Sequence, residues 1–175
     1  AKFILKHAVN CGQGTSILTG INYFLTQTKF EYLIPFDADG QHQAIDALKM
    51  LNYAYENKID AVLGSRFINK ENAKYIPLPR KILLKLAILF ERVFLKIYLT
   101  DTNNGLRVLN RKACSKIANI NSAQMAHATE IAKIFSEESI LFYEYPVRII
   151  YNKDKKTGQN FLSSLNIISD LIQKK

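Results

Sequence analysis

Short apolar runs alternate with longer amphipathic stretches through the first part of the chain, and this alternation is the strongest constraint on the fold. Apolar runs at 2–9, 31–37 and 59–64 each predict a strand, and the stretches at 15–28 and 43–57 predict helices. Strands that alternate with helices are typical of βαβ units, whose strands lie parallel in one sheet. The sequence therefore predicts an α/β fold, with a mainly parallel sheet and helices on both faces.

The rest of the chain continues the pattern with longer polar interruptions. In chain order, the further predicted elements are a polar loop at 68–79, a helix at about 80–99, a strand at 105–110, helices near 111–118 and 122–137, a strand at 140–151, a polar loop at 153–158 and a helix at 161–172. No linker, repeat or low-complexity tract divides the chain, so residues 1–175 are predicted to form a single domain.

Two aspartates, Asp37 and Asp39, stand one residue apart at the end of the second predicted strand. The carboxyl ends of strands are where open α/β sheets bind ligands. Carboxylate oxygens this close together suit Mg²⁺ or Mn²⁺, which bind one or two carboxylates together with substrate phosphates. The motif therefore predicts a metal-bridged diphosphate, such as that of a nucleotide-sugar. The alternative is a plain strand-to-helix turn that Asp39 and Gly40 shape.

Two other strand ends carry residues that suit a phosphate. Gly12 and Gly14 precede a predicted helix start, where free backbone N–H groups can bind an anion. The third strand ends in Gly-Ser-Arg at 64–66, and a guanidinium there can bind phosphate through two parallel hydrogen bonds. A tight turn and a surface arginine are the alternatives for each segment alone. Together the three strand ends predict one crevice rather than three unrelated turns.

The net charge of +9 is concentrated between Arg66 and Lys96, where eight cations accompany two anions. A basic surface attracts nucleic acid, anionic membrane or phosphorylated substrates. No zinc-ligand pattern, RNA-binding aromatic motif or helix-turn-helix pattern accompanies it, so we expect no nucleic-acid partner. The two cysteines, Cys11 and Cys114, fit no metal or disulfide framework and indicate a cytoplasmic location.

In the predicted helix at 80–99, four cations fall within about 60° of one another, and most other positions are apolar. The cations are Lys81, Lys85, Arg92 and Lys96. This pattern fits a helix that rests on lipid headgroups, and it also fits an ordinary helix with a buried apolar side and a solvated basic stripe. Because charges recur every few residues, the helix is not predicted to span a membrane.

Four motifs stand in the order in which family 2 glycosyltransferases carry them. They are Asn-x-Gly-x-Gly at 10–14, Phe-Asp-Ala-Asp-Gly-Gln-His at 36–42, Gly-Ser-Arg-Phe at 64–67 and Thr-Asp-Thr-Asn-Asn-Gly-Leu-Arg at 100–107. Segments 125–131, 145–149 and 156–159 also resemble the bacterial branch of that family related to dolichyl- and polyprenyl-phosphate sugar transferases. The resemblance implies a GT-A-like fold whose first strand–helix elements are missing here, so we expect an N-terminally truncated catalytic domain.

The resemblance implies a metal-dependent, inverting glycosyltransferase that moves a sugar from a UDP- or GDP-linked donor to an acceptor. The implied acceptor is a polyprenyl phosphate used in cell-envelope or surface glycan synthesis. Such an acceptor would bring a cytoplasmic enzyme into peripheral contact with the cytoplasmic face of the inner membrane. One alternative is a truncated, inactive transferase fold that binds membranes or a partner. Another is an Asp-x-Asp phosphohydrolase, although those enzymes usually carry Thr or Val where this chain has Gln41.

The resemblance also implies roles for individual residues. The implied ligands for Mg²⁺ or Mn²⁺ are Asp37, Asp39 and Gln41. The substrate-binding candidates are Gly12, Gly14, Asp37, Ser65, Arg66, Arg80 and Arg107. Of these, Arg66 and Arg107 are expected at the rim of the cleft.

A phosphate acceptor is already anionic and needs positioning more than a base, whereas a hydroxyl acceptor needs a group that takes its proton. The candidates for that role are Asp101, Glu130 and His127. His127 and Glu130 are three residues apart and share a helix face, so an ordinary hydrogen-bonded pair in the core is their alternative role.

Overall fold

The computed structural model of the chain describes residues 3–94, 96–118, 131, 133–135 and 139–151. In chain order its elements are α1 (Gly12–Gln27), β1 (Tyr32–Leu33), α2 (Ala44–Glu56), β2 (Ala61–Ser65), α3 (Lys70–Lys74), α4 (Leu78–Phe94), β3 (Arg107–Asn110), α5 (Arg111–Ile117) and β4 (Phe142–Pro146). Across these ranges, every helix is too short or too polar to cross a membrane.

The four strands form one sheet in the order β1-β3-β2-β4. β2 pairs in parallel with β4, from Ala61 opposite Phe142 to Ser65 opposite Pro146. β3 runs antiparallel to both of its neighbours, β1 and β2. β1, β2 and β4 therefore point the same way, and β3 enters the sheet at the edge where the other three strands end.

Helices cover both faces of the sheet because alternate residues of the central strand β2 point to opposite sides. Ala61 and Leu63 pack in one hydrophobic core with residues of α1 and α5, such as Ile21. Val62 packs in a second core with residues of α2, such as Met50. All five residues of β2 are buried, as expected for a strand that is covered on both faces. The predicted α/β class is confirmed.

Two expectations about the strands are corrected. The sheet is mixed rather than mainly parallel, because the β1–β3 and β2–β3 pairings are antiparallel. The strand predicted at 2–9 is also wrong for the part of it that is described, since residues 3–9 contain no strand. β1 pairs with β3, and no strand in the described ranges pairs with 3–9. Phe3, Ile4 and Val9 remain more than half exposed there.

The predicted basic helix begins and ends earlier than expected. α4 starts at Leu78, and beyond its end Lys96 adopts a left-handed conformation with φ of 55°. The backbone N–H of Ile97 donates to the carbonyl of Glu91 at 3.2 Å, so the chain turns back onto the last turn of the helix after Lys96. The helix therefore stops before 99 because the chain reverses at Lys96.

Other predictions concern the segments around this helix. α3 lies within the segment predicted as a polar loop at 68–79, and the side chain of Asn69 caps it by accepting the backbone N–H of Glu71 at 2.9 Å. The loop predicted at 153–158 and the helix predicted at 161–172 lie outside the described residues. Most of the helix predicted at 122–137 lies outside them as well.

Asp60, just before β2, ties three segments together. Its Oδ2 accepts hydrogen bonds from Lys112 Nζ at 2.7 Å and from the backbone N–H of Leu141 at 2.9 Å. Its Oδ1 accepts one from Asn110 Nδ2 at 2.7 Å. Burial raises the pKa of the Asp60 carboxyl, but these hydrogen bonds outweigh burial and hold the pKa below its ordinary value of 3.8. The start of β2 is thus fastened to the end of β3 and to the approach to β4.

We expect Asp60→Asn to destabilise the fold by about 1.5–3 kcal/mol at neutral pH, the usual contribution of hydrogen bonds to a charged group. Because the folded-state pKa of Asp60 is depressed, its contribution is complete above 3.8 and is lost as the pH falls through the folded-state pKa. Urea unfolding of both proteins from about pH 7 to about pH 3 should show their free energies of unfolding converge in acid. A difference that stays constant over this range would contradict the ionised role of Asp60.

Candidate active site

Four segments meet at one edge of the sheet. The carboxyl ends of β1, β2 and β4 lead into the turns that follow them, and segment 100–106 leads into the antiparallel β3 from the same side. Turns at the carboxyl ends of parallel strands are where α/β sheets place their ligands. The candidate site therefore draws on all four strands, and the reversed direction of β3 is what brings segment 100–106 to it.

Asp37 and Asp39 lie in the turn after β1, and both are exposed to solvent. Asp37 Oδ1 accepts a hydrogen bond from Gln13 Nε2 of α1 at 3.3 Å, and its Oδ2 lies 4.0 Å from His42 Nε2. Asp39 Oδ1 accepts the backbone N–H of Gln41 at 2.8 Å. One oxygen of Asp39 thus shapes the turn, as the structural alternative predicted, and the metal role of Asp37, Asp39 and Gln41 stays a prediction.

Three closely grouped His, Cys, Asp or Glu side chains, as a metal site built from protein alone would need, do not occur within the described ranges. Two exposed carboxylates are nevertheless the usual protein share of a Mg²⁺ site that substrate phosphates complete. The donor set of Asp37 and Asp39 fits that type of site and does not fit a closed structural site.

Gly105 leaves space beside the Asp37 carboxylate because it has no side chain. A β-carbon at position 105 would lie 3.3 Å from Asp37 Oδ2 and 3.8 Å from His42 Nε2. The Nδ1 of His42 is buried and has no hydrogen-bond partner among the described residues. Burial lowers the pKa of His42 below its ordinary value, and the charges of Asp37 and Asp39 offset this only in part. His42 is therefore neutral near pH 7 and does not neutralise the acidic pair.

Arg66, directly after β2, forms a buried ion pair with Asp101. Its Nε and Nη2 each donate to an Asp101 carboxylate oxygen at 2.6 Å, and its backbone N–H donates to Asp101 Oδ2 at 3.0 Å. Burial lowers the pKa of Arg66, but the charge and hydrogen bonds of Asp101 outweigh burial and raise it above its ordinary value. The expectation that Arg66 lies at the cleft rim is wrong, because it is only 3% exposed and is enclosed with its counter-charge. The phosphate-binding role of Arg66 and the base role of Asp101 stay predictions.

Tyr151 joins Arg66 to a second arginine. Arg66 Nη1 donates to Tyr151 Oη at 3.2 Å, and the guanidinium of Arg80 lies over the Tyr151 ring, 5.1 Å from its centroid. Burial lowers the pKa of Arg80, and Tyr151 acts in the opposite direction. Arg80, near the start of α4, is half-buried beside the ion pair, so the structure brings these two predicted phosphate-binding arginines together.

Arg107 begins β3 and is the third predicted arginine. Burial lowers the pKa of its guanidinium to about 10, and the charge of Asp37 offsets part of this shift. Arg107 is therefore still charged near pH 7. It is 4% exposed, so the expectation of a position at the cleft rim is wrong for this residue as well.

Ser65 belongs to a hydrogen-bonded chain that sequence reasoning missed. Its hydroxyl lies 2.7 Å from that of Thr100, which in turn donates to Glu144 Oε1 at 2.8 Å. Ser65 is fully buried, and its side chain contacts other protein groups. The ligand-binding role predicted for it stays a prediction. The available signal for Glu144 was a single acid within the apolar and aromatic run 140–147, and for Tyr151 the aromatic residue that ends the strand pattern.

The two glycines predicted to bind phosphate lie in the first turn of α1. The helix begins at Gly12, which has φ of 84° and donates its backbone N–H to Asn10 Oδ1 at 3.0 Å. Gly14 is buried within the helix. Their phosphate-binding role stays a prediction, and the helix starts three residues earlier than the sequence indicates.

A cavity of about 270 Å³ separates one face of α1 from the end of β1. Its lining includes Gln13, Ser16 and Ile17 of α1, Phe36 and Asp37 after β1, and Gly105. Asp37 therefore presents a carboxylate to a space with both polar and apolar walls.

A larger cavity of about 530 Å³, here called the basic groove, runs beside α3 and α4. Its lining comprises the cations Lys70, Lys81, Lys85 and Arg92 together with Phe67, Ala73, Ile88 and Thr100. Three of the cations belong to the basic stripe that the sequence indicated. The groove reaches Thr100, the residue next to Asp101, so it adjoins the buried ion pair.

The remaining two candidates for a catalytic base, His127 and Glu130, lie outside the described residues. Their roles stay predictions.

Comparison with known proteins agrees with this arrangement. The family model described as glycosyl transferase family 2 matches residues 2–118, more than half of the chain. The chain belongs to glycosyl transferase family 2. It is accordingly a glycosyltransferase, and the resemblance noted from the sequence motifs is confirmed.

Two relatives align with nearly the whole chain. An uncharacterized protein of Methanocaldococcus jannaschii is 29% identical over 175 residues, which cover 98% of this chain and 71% of the relative. The UDP-N-acetylglucosamine–dolichyl-phosphate N-acetylglucosaminyltransferase of Methanococcus voltae is 28% identical over 174 residues, which cover 98% of this chain and 68% of that enzyme. This family 2 chain thus resembles a transferase named for a lipid-phosphate acceptor.

We expect Arg66→Lys to lower the free energy of unfolding by about 1.5–3 kcal/mol, because an ammonium group cannot reproduce the two parallel hydrogen bonds to Asp101. Urea unfolding measures the loss, and Arg92→Lys on the exposed side of α4 is the matched control, expected within about 0.5 kcal/mol of wild type. Equal stability of the two variants would show that the buried pair contributes nothing beyond its charge.

Proposed function

We propose that this family 2 glycosyltransferase is metal-dependent and inverting, and that it moves a sugar from a nucleotide-diphospho-sugar to a polyprenyl phosphate in cell-envelope or surface glycan synthesis. The observation that carries the proposal is the acidic pair, Asp37 and Asp39, exposed at the same sheet edge as Arg66 and Arg107, with Arg80 joined to Arg66 through Tyr151. We also propose that residues 1–175 belong to one catalytic domain.

The donor side of the proposal rests on the cavity between α1 and β1. Asp37 lines this cavity, and Gln13 orients the carboxylate by donating to its Oδ1. We propose that Asp37 and Asp39, with Gln41, hold Mg²⁺ or Mn²⁺, and family 2 enzymes commonly use a divalent metal. When bound, such an ion would neutralise the charge that develops on the departing diphosphate. The neutral state of His42 leaves the negative charge of the pair available to a cation.

The acceptor side rests on the basic groove. Its four cations attract a phosphate, and its apolar residues Phe67, Ala73 and Ile88 suit the hydrocarbon part of an amphiphile. The relative from Methanococcus voltae, whose name specifies dolichyl phosphate, supports this class of acceptor. A phosphate is anionic near neutral pH, so the acceptor requires a positive environment more than a general base. We therefore assign the groove to the lipid phosphate.

Peripheral membrane contact is consistent with the outer face of α4. Five apolar side chains follow one stripe of this helix and are 53–69% exposed: Leu78, Ile82, Leu86, Leu89 and Val93. Three cations of the same helix, Lys81, Lys85 and Arg92, accompany the stripe, which is the composition of helices that lie in the headgroup region of a bilayer. We propose that the enzyme works at the cytoplasmic face of the membrane that carries its acceptor.

The direct test is sugar transfer to dolichyl phosphate in detergent micelles, with UDP-N-acetylglucosamine and GDP-mannose as donors and with Mn²⁺ present or removed by chelation. We expect Asp39→Asn to lose metal-dependent transfer by at least tenfold while the fold survives, because the amide oxygen can still accept the Gln41 N–H. Glu56→Gln, at the exposed end of α2, is the control.

Metal-dependent transfer that is unchanged in Asp39→Asn would overturn the metal assignment. Donor binding without any transfer by the wild-type chain would favour the alternative of an inactive fold that only binds its ligands.

A separate test addresses the acceptor. The double substitution of Lys81 and Lys85 by Glu should raise the acceptor KM on the order of tenfold, a magnitude suited to exposed charges, and should leave the donor KM unchanged. Lys49→Glu, on the exposed surface of α2, is the matched control. The effect should shrink in high salt, since exposed charges are screened. An unchanged acceptor KM would remove the basic groove from the acceptor path.

A further inference from the structure

Glu144 of β4 is bound to a segment that lies more than forty residues away in sequence. Its carboxylate oxygens accept the backbone N–H of Thr100 at 2.9 and 3.0 Å, and Oε1 also accepts the Thr100 hydroxyl at 2.8 Å and the backbone N–H of Asp101 at 3.2 Å. A carboxylate is an acceptor with two oxygens and suits three donors that converge on it. One side chain therefore fixes both residues.

The segment that Glu144 fixes is the one that supplies Asp101. Asp101 receives two hydrogen bonds from the Arg66 guanidinium and one from the Arg66 backbone. Any shift of the Asp101 backbone would therefore move the guanidinium, and with it the contact between Arg66 and Tyr151. Glu144 thus acts on the arginines through Asp101.

The sheet makes this contact rigid. Glu144 stands opposite Leu63 in the parallel pairing of β4 with the fully buried β2, so the position of its backbone is set by the ladder. On the far side of the segment, the Thr102 hydroxyl donates to Glu91, a buried residue of α4. Segment 100–102 is thereby held from two elements at once.

We propose that Glu144 is a positioning residue, which places Asp101 and through it Arg66 for sugar transfer. This inference rests on the proposed transferase function. Oε1 alone accepts all three donors, so the amide oxygen of a glutamine could replace it. Glu144→Leu instead removes the acceptor with a side chain of similar size, and so removes the alignment without opening a large cavity.

The test compares Glu144→Leu with wild type and with Tyr143→Phe, a change on the opposite face of the same strand. Transfer from UDP-N-acetylglucosamine to dolichyl phosphate is measured per folded molecule, together with the donor KM and the midpoint of thermal unfolding. We expect kcat to fall at least tenfold in Glu144→Leu, with the donor KM within about twofold of wild type, since the proposed donor cavity lies beside α1. Tyr143→Phe should keep its kcat.

A second readout needs no turnover. Amide hydrogen exchange of the peptide that contains residues 99–105 should accelerate at least tenfold in Glu144→Leu and stay unchanged in Tyr143→Phe. Absence of transfer by the wild-type chain would count against the proposed function alone, because exchange still reports on the positioning. A lowered unfolding midpoint with unchanged kcat per folded molecule would overturn the proposal and leave Glu144 a stabilising residue. Unchanged exchange of 99–105 would overturn it as well.

Discussion

The ion pair between Arg66 and Asp101 joins the end of the central strand to the segment that leads into the antiparallel strand, and most of the candidate site is arranged around it. Each partner would be costly to bury alone, but two short parallel hydrogen bonds and a backbone contact compensate both charges. Ser65 and Thr100 extend the same junction with hydroxyl contacts, and Tyr151 extends it toward α4. The arginine that looks like a free phosphate ligand in the sequence is thus also a structural cross-link.

The sequence pattern predicted those helices and strands whose buried residues recur at a regular spacing. α2 and β2 lie within a residue or two of their predicted ranges, because a helix with one apolar face and a five-residue buried run are each legible in sequence. The direction of β3 was not foretold, since direction depends on how the chain crosses between strands and not on the strand's own residues. The strand expected near the N-terminus was apolar enough to be one, but a strand also needs a partner.

The residues of the candidate site likewise divide into those that local sequence features predict and those that only the fold reveals. Asp37 and Asp39 were recognisable because their spacing and their place after a strand are local features. The burial of Arg66 was not, since its counter-charge lies 35 residues further along the chain. Glu144 was not predicted as a site residue because a single acid in a strand is commonly a solvated side chain. Only the fold shows that backbone N–H groups converge on it. α4 departs from the usual rule, because Glu91 is buried while Leu86 and Leu89 are exposed, and a helix period alone does not tell which face is inside.

The position of β2 in the sheet has a consequence for biosynthesis. This strand is buried along its whole length, yet its two sheet neighbours are β3, which ends at Asn110, and β4, which ends at Pro146. While the chain emerges from the ribosome, β2 is synthesised before β3 and β4. Until they follow, its apolar side chains and unpaired backbone groups are accessible to other chains. Long-range pairing of this kind slows folding and exposes the nascent chain to aggregation. We therefore expect the yield of folded enzyme in cells to depend on chaperones that shelter β2 during synthesis.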